Sequence, residues 1–250
     1  MTRSSRFEYK YLVSETAALR FARELRPFMR MDPWLQERNL SSYVVSSVYM
    51  DSPRLTCYEA VEQGAKNRFK LRMRWYGEKL SAPVFLEEKR RISDSISKAR
   101  VTVDMKDAAD LLAGNPFNAG WMNRLAPGER ALGEELLGKI RSLGAVPSCV
   151  VRYEREAWES PVFRGLRVTF DRSLTGAPTG EHYREGSPTA LPATKTILEV
   201  KFRDHMPEWL GSLMRRYHLT RVSVPKYVLC VDALRSAGMR LPLWQGGITA

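Results

Sequence analysis

The 250-residue chain has few of the residues from which most metal-binding and nucleophilic motifs are built. It contains only three cysteines, which are widely spaced and odd in number, so they give neither a disulfide framework nor a paired metal-ligand motif. Three histidines are present and show no ligand spacing: His182, His205 and His218. These shortages argue against a zinc site and a disulfide scaffold, and they favour a reduced, cytoplasmic setting.

Long hydrophobic runs are also missing. No stretch of about 18 apolar residues occurs, and the N-terminal residues lead into a strand-like segment without an apolar signal region. No Gly-rich phosphate loop and no Ser/His/Asp set stands out. We therefore expect a cytoplasmic protein without a transmembrane segment of its own, which reaches the inner face of a membrane only through a partner.

Acidic residues are outnumbered, with 28 Asp and Glu against 40 Lys and Arg, which gives a net charge of +12. Such an excess attracts nucleic acid, nucleotides, polyphosphate or anionic membranes. Residues 66–106 hold twelve cations against five acids, so the charge belongs to folded structure. The hydrophobic content of 44% excludes a disordered chain, and we predict a single domain over residues 1–250.

Several predicted strands have one charged and one apolar face. In residues 68–74, alternation places four cations on one face and Phe69, Leu71 and Met73 on the other. The same pattern recurs in segments 6–13, 84–91, 98–103, 166–174 and 196–203. We also predict amphipathic helices after Ser14 and over residues 108–112, 129–143 and 207–217, a connection at 58–64, a loop at 175–194, and a strand or strand-helix unit at 223–234.

Two arrangements fit this pattern. In the ordinary one, the charged faces lie in water around a dry core, and the helices have no apolar sheet surface to cover. In the inverted one, the fold is α+β: an antiparallel β-barrel tunnel has a polar, cationic lumen, and helices cover its apolar outer surface. Two like charges about 4 Å apart repel by roughly 4 kcal/mol at an effective dielectric near 20, so such a lumen needs an anionic occupant.

Seven segments in order resemble one family. They are Arg-Phe-Glu-Tyr-Lys-Tyr at 6–11, the cationic strand at 68–74, Leu-Glu-Glu-Lys-Arg at 86–90, Tyr-Glu-Arg-Glu-Ala at 153–157, Arg-Val-Thr-Phe-Asp at 167–171, Leu-Glu-Val-Lys-Phe at 198–202 and Ser-Val-Pro-Lys-Tyr at 223–227. Together they resemble the vacuolar transporter chaperone (VTC) catalytic domain of bacterial-type polyphosphate polymerases, in the triphosphate tunnel metalloenzyme (CYTH-like) superfamily. No single segment is specific to this family. Their occurrence in this order over nearly the whole chain is a strong signal.

The resemblance implies that the γ-phosphate of ATP is transferred to a growing inorganic polyphosphate chain with the help of Mn²⁺ or Mg²⁺. It implies a membrane component as partner and no specific nucleic acid. Positioning and charge neutralisation dominate such chemistry. The resemblance assigns the catalytic and triphosphate-binding roles to Lys10, Arg72, Arg74, Lys89, Arg155 and Lys226. Further phosphate contacts are, in decreasing rank, Lys98 and Arg167, then Lys70, Lys201 and Arg152. Glu199 and then Glu8 are the expected metal ligands, and Glu87 is expected to form an ion pair.

Two positions depart from the family pattern. Hydrolytic relatives begin with Glu-x-Glu-x-Lys, but Arg6 replaces the first Glu here, which favours a polymerase over a triphosphatase. Pro225 stands where the family usually has a Ser. A triphosphatase or adenylate cyclase of the same fold remains an alternative. Another is a non-catalytic polyphosphate-binding or RNA-binding module in which Phe69 and Trp75 stack on bases.

Overall fold

The computed structural model describes residues 6–93, 95–113, 119–179, 187–239 and 241. Its strands are β1 (Arg6–Ser14), β2 (Arg30–Met31), β3 (Tyr43–Asp51), β4 (Arg68–Tyr76), β5 (Val84–Ile92), β6 (Ser95–Val103), β7 (Val146–Glu159), β8 (Arg167–Pro178) and β9 (Lys195–Arg203). Its helices are α1 (Glu15–Leu25), α2 (Pro33–Glu37), α3 (Thr56–Glu62), α4 (Met105–Leu112), α5 (Ala119–Arg124), α6 (Arg130–Leu143), α7 (Glu208–Arg216) and α8 (Lys226–Ser236). His182 and part of the predicted loop lie outside the described residues.

The strands are hydrogen-bonded in the order β1-β9-β8-β7-β3-β4-β5-β6, and β2 pairs with β7. The pairs β1–β9, β8–β9, β3–β4, β4–β5 and β5–β6 are antiparallel. The chain divides into two compact units, and strands β3, β7 and β8 contribute residues to both. The first unit contains residues 6–44, 153–174 and 191–224, and the second contains the other described residues.

In the first unit, helices α1 and α7 cover the apolar faces of β1, β8 and β9. Helix α1 begins as predicted, with the amide of Ala17 donating to the hydroxyl of Ser14 at 3.1 Å. The buried side chains of this core include Phe21 and Leu25 of α1, Leu210 and Leu213 of α7, and Tyr11, Val168, Phe170, Leu198 and Val200 of the strands. Charged residues alternate with these buried ones: Glu8 and Lys10 in β1, Arg167 and Asp171 in β8, and Glu199 and Lys201 in β9.

The second unit repeats the arrangement with different elements. Leu71 and Met73 of β4, Leu86 of β5 and Val101 of β6 pack in one core with Ala108, Leu111, Trp121, Leu136 and Ile140 of helices α4, α5 and α6. Helix α6 ends as predicted at Gly144, whose φ of 59° lies in the left-handed region. In both units the apolar strand faces therefore lie under helices, and the predicted α+β class of the inverted sheet is confirmed. That the charged faces share one lumen stays a prediction.

Two predicted segments have a different structure. Residues 58–64, expected to be a connection, lie in and just after helix α3, because the buried carboxylate of Asp51 accepts the amide hydrogens of Cys57 and Tyr58 at 2.8 and 2.9 Å. Residues 223–234 contain helix α8 from Lys226 onward and no named strand. Residues 227–231 are apolar and buried almost throughout, and a short apolar run of this kind has the same pattern in a buried strand and in a buried helix.

Within the predicted loop at 175–194, strand β8 continues to Pro178, and Thr175 bridges to Thr189. Among the residues that the structure describes, no helix has both the length and the hydropathy needed to cross a membrane.

Candidate functional site

The charged face of β4, β5 and β6 in the second unit is organised around Glu87. Its register places Arg72 on one side of Glu87 and Arg100 on the other. The carboxylate is only 1% exposed and accepts from Arg72 Nη2 at 2.6 Å, Lys98 Nζ at 2.7 Å and Arg100 Nη2 at 2.5 Å. Arg74 Nη1 lies 3.8 Å away. Glu87 is thus the predicted ion-pair residue, with more cations around it than one carboxylate can neutralise.

This crowding of charges shifts the pKa of Glu87 and also the pKa of the neighbouring Lys98. Burial alone would raise the pKa of Glu87, but Arg72, Arg74 and Lys98 outweigh it and hold the pKa well below its usual value. Burial lowers the pKa of Lys98 to about 8; Glu87 opposes this shift, while Arg100 and Arg72 add to it. One of the predicted phosphate contacts therefore loses its charge near pH 8, well below the pH at which an ordinary lysine does.

A chain of contacts links Arg72 to helix α8. Arg72 donates to the hydroxyl of Tyr49 at 3.0 Å, and the ring of Tyr49 stacks on Tyr227 with centroids 4.8 Å apart. Tyr227 donates to Asp51 at 2.8 Å, and burial, followed by Asp51, raises its pKa far above the usual value. Lys226, the first residue of α8, is only 9% exposed, so the predicted cation is fixed by a helix and not by a strand.

On the charged face of the first unit, acidic and basic side chains alternate along each strand and lie opposite each other across the two strands. Across β1 and β9, Glu8 lies opposite Lys201 and Lys10 lies opposite Glu199. Lys10 Nζ lies 3.2 Å from Glu8 and 3.5 Å from Glu199, and Lys201 Nζ contacts the other oxygen of Glu199. Glu199 is 4% exposed. The two predicted metal ligands therefore flank one lysine, itself predicted to lie near the reacting phosphate.

Two further predicted cations of this unit are held by carboxylates. Arg155 makes a bidentate pair with Asp171, whose side chain is completely buried, at 2.6 and 2.7 Å. Burial would lower the pKa of Arg155, but Asp171 and Tyr153 hold it above the usual value. Arg167 donates to Asp32 at 2.7 Å and to Glu159 at 2.8 Å. Whether either cation also contacts a phosphate stays a prediction.

Comparison with known proteins identifies the family. The family model of the VTC domain matches residues 5–235. The chain belongs to the VTC domain family. A search of curated proteins gave no match.

Solved structures are similar to this VTC domain at low sequence identity, and one of them has a TM-score above 0.5. A provisionally assigned adenylate cyclase from Bacillus halodurans has a TM-score of 0.51 and 13% identity, covering 87% of this chain and 92% of that one. A second provisionally assigned adenylate cyclase, from Vibrio parahaemolyticus, has a TM-score of 0.48 and 12% identity, covering 90% and 97%. A Pyrococcus horikoshii OT3 protein has a TM-score of 0.44, 12% identity and coverage of 90% and 98%. The first of these likenesses shows the tunnel-type fold.

Two other predicted cations of the VTC domain lie on strands β5 and β7. Lys89 of β5 stands opposite Lys70 and Lys98 in the register of the strands. Arg152 of β7 donates to the carbonyl oxygen of Glu78 at 2.8 Å. Within each unit, then, strand alternation brings most predicted residues to the charged face, and Lys226 reaches its position through α8.

Three residues that the sequence reasoning did not assign belong to these contacts: Arg100, Tyr49 and Asp171. Arg100 was recognisable, because it alternates with Lys98 on a predicted strand and so had to share its face. Tyr49 and Asp171 also lie in strands, but their partners are distant in sequence, and alternation does not reveal partners.

The VTC domain offers oxygen ligands for a hard cation. Among the described residues, no group of three or more His, Cys, Asp or Glu side chains could enclose a metal ion. Glu8 and Glu199 nevertheless lie on neighbouring strands on either side of Lys10. Mg²⁺ and Mn²⁺ are commonly held by one or two carboxylates together with substrate phosphates, and this pair fits that donor set.

Proposed function

We propose that this VTC domain is a polyphosphate polymerase that transfers the γ-phosphate of ATP to the end of an inorganic polyphosphate chain. The observation that supports this most is the composition of the charged face of β4, β5 and β6. That face carries a single carboxylate, Glu87, and the cations Arg68, Lys70, Arg72, Arg74, Lys89, Arg91, Lys98 and Arg100. A face of this composition suits a ligand with many closely spaced negative charges.

The residues act mainly by position and charge. A terminal oxygen of the polyphosphate attacks the γ-phosphorus, the bond from that phosphorus to the β-bridging oxygen breaks, and ADP leaves with both electrons of the broken bond. Arg72 and Arg74 are two residues apart on one strand and can each donate two parallel hydrogen bonds to phosphate oxygens. Lys89 and Lys226 add point charges, and Lys10 neutralises charge that develops on the transferred group.

Glu199 and Glu8 would hold the Mg²⁺ or Mn²⁺ ion. When bound, the ion neutralises phosphate charge and orients the transferred group. Without it, Lys10 and Lys201 balance the charge of Glu199. ATP and polyphosphate are the proposed substrates, a membrane protein is the proposed partner, and no specific nucleic acid is part of the proposal.

The products formed from ATP test the reaction. The purified chain is incubated with ATP and Mn²⁺, and the products are separated on a gel that resolves polyphosphate, with ADP, phosphate and cyclic AMP measured in parallel. We expect long-chain polyphosphate and an equivalent amount of ADP. Phosphate without chain growth would show a triphosphatase, cyclic AMP would show a cyclase, and tight polyphosphate binding without ATP consumption would show a binding module.

Phosphate binding should depend on the protonation of Lys98. With a pKa of about 8, Lys98 is charged below that pH and neutral above it. We expect the Kd for tripolyphosphate to rise by up to about tenfold between pH 7 and pH 9. Lys98→Arg keeps its charge at both values, so it should remove most of that rise in a calorimetric titration. The same rise in Lys98→Arg and wild type would contradict the role of this lysine.

The effect of Lys98 on folding stability has the opposite dependence on pH: stability should rise as pH increases, whereas phosphate binding should weaken. The pKa of Lys98 lies below its usual 10.5, so between these values the unfolded chain holds more protons on this residue than the folded one. Its contribution to the free energy of unfolding therefore rises as pH increases from about 8 to 10.5.

A further inference from the structure

Arg72 is the middle residue of a row that crosses three strands of the second unit. In the strand register it lies opposite Tyr49 of β3 on one side and Glu87 of β5 on the other. Its guanidinium is held from both sides. Nε and Nη2 donate to Glu87 at 2.8 and 2.6 Å, and Nη1 donates to the hydroxyl of Tyr49 at 3.0 Å. The two neighbours therefore set the orientation of the guanidinium plane.

The orientation of Tyr49 depends in turn on Tyr227. Tyr49 is buried, and its ring lies nearly parallel to the ring of Tyr227, with centroids 4.8 Å apart. Stacked aromatic rings prefer one relative placement. Tyr227 is the second residue of α8 and directly follows Lys226, another predicted phosphate contact. A displacement of the Tyr227 ring would therefore move Tyr49, and with it the hydroxyl that accepts from Arg72.

Tyr227 is itself anchored on a completely buried carboxylate, that of Asp51. This carboxylate accepts four hydrogen bonds: from the amides of Ser52, Cys57 and Tyr58 at 2.8, 2.8 and 2.9 Å, and from the hydroxyl of Tyr227 at 2.8 Å. Three of the donors are backbone groups, so the carboxylate cannot turn away without leaving buried amides unpaired. Burial, followed by Asp51, raises the pKa of Tyr227 far above its usual value, so the hydroxyl keeps the proton that it donates.

We propose that Tyr227 is a positioning residue for Arg72. Its hydroxyl is anchored on Asp51 and its ring is stacked on Tyr49, so the guanidinium at the end of this path keeps the orientation in which it contacts phosphate. The role of Arg72 as a phosphate contact rests on the proposed function, whereas the link from Tyr227 to Arg72 does not. The start of α8 thus fixes two cations of the second unit: it carries Lys226, and it orients Arg72 through two aromatic rings.

Tyr227→Phe tests this role, with Tyr58→Phe as its matched control. Tyr227→Phe removes the hydrogen bond to Asp51 and keeps an aromatic ring. Tyr58→Phe removes the hydroxyl that donates to Asp232 of α8 at 2.6 Å, and it leaves the contacts between Tyr227 and Arg72 in place. Each variant loses one hydroxyl hydrogen bond of α8, so both should stay folded, with melting temperatures about 2–6 °C below wild type.

The first readout needs no ligand. The side-chain Nε–H signal of Arg72 is followed by NMR in ¹⁵N-labelled protein and is assigned by its loss in Arg72→Lys. We expect this signal to shift or broaden in Tyr227→Phe and to stay in place in Tyr58→Phe. An unchanged signal in Tyr227→Phe, or the same change in both variants, would overturn the inference.

The second readout is the affinity for tripolyphosphate, measured by titration calorimetry on the full chain. We expect the Kd to rise about fivefold in Tyr227→Phe and to stay within about twofold of wild type in Tyr58→Phe. Tyr49→Phe removes the acceptor for Arg72 and should raise the Kd by a similar factor. The double variant Tyr49→Phe with Tyr227→Phe should bind no more weakly than Tyr49→Phe alone, because both changes act on the same hydrogen bond.

A loss in the double variant equal to the product of the two single losses would contradict a path through Tyr49. Equal losses of affinity in Tyr227→Phe and Tyr58→Phe would show that Tyr227 has only a structural role. Wild type that binds no tripolyphosphate would overturn the proposed function, while a shifted Arg72 signal in Tyr227→Phe would still support the link from α8 to Arg72.

Discussion

Replacing Glu199 with Gln is expected to reduce polyphosphate synthesis by about 100-fold or more and to leave tripolyphosphate binding unchanged or tighter. The carboxylate is 4% exposed and lies between Lys10 and Lys201 on the charged face. A neutral amide of the same shape holds a divalent cation poorly, so the chemistry should suffer. It also removes a negative charge from a surface that binds anions, so affinity should not fall.

Glu154→Gln is the matched control for this change. Glu154 lies on β7 in the same unit, is exposed, and alternates with Arg155, so it belongs to the opposite strand face. Synthesis rates and tripolyphosphate affinity are measured for both variants beside wild type. Unchanged synthesis in Glu199→Gln would contradict the metal-binding role. A parallel loss of affinity would indicate that Glu199 acts by holding Lys10 and Lys201 in place.

Replacing Arg155 with Ala should destabilise the fold by about 3–5 kcal/mol. Its partner Asp171 is completely buried and would be left as a carboxylate without its bidentate arginine. The free energy of unfolding is measured in urea near neutral pH. A loss below about 1 kcal/mol would show that the pair is far better solvated than its burial indicates.

The double variant Arg155→Met with Asp171→Leu separates stability from ligand binding. Apolar residues of similar size often replace a buried ion pair at little cost, so most of the lost stability should return. If Arg155 also contacts phosphate, this variant should bind tripolyphosphate about tenfold more weakly than wild type. Wild-type affinity in the stable double variant would show that Arg155 has only a structural role.

The strands of the charged face were predictable because alternation has a period of two residues. In β4 it separates Arg72 and Arg74 from Leu71 and Met73 without any knowledge of the partner strands. Which face would be covered was not visible in any single strand. It followed from the number of amphipathic helices, because these helices needed an apolar sheet surface to cover. Helices α1, α6 and α7 do pack on such surfaces.

Other features depended on contacts between distant segments. Helix α3 begins at residues whose amides donate to Asp51, and the side chain of Tyr227 reaches the same carboxylate from 176 positions away. Arg167 was identified as a charged strand residue, but its partner Asp32 lies 135 positions earlier. Sequence spacing indicates on which face such a residue lies. It does not show how many of its hydrogen bonds are already used within the protein.

The most direct test of the account is a crystal structure of the chain with bound long polyphosphate. We predict phosphate oxygens within hydrogen-bonding distance of Arg72, Arg74 and Lys89, on the face of β4 and β5 that also carries Glu87. Phosphates bound only to exterior residues such as Arg90 and Lys66, with that face empty, would contradict it.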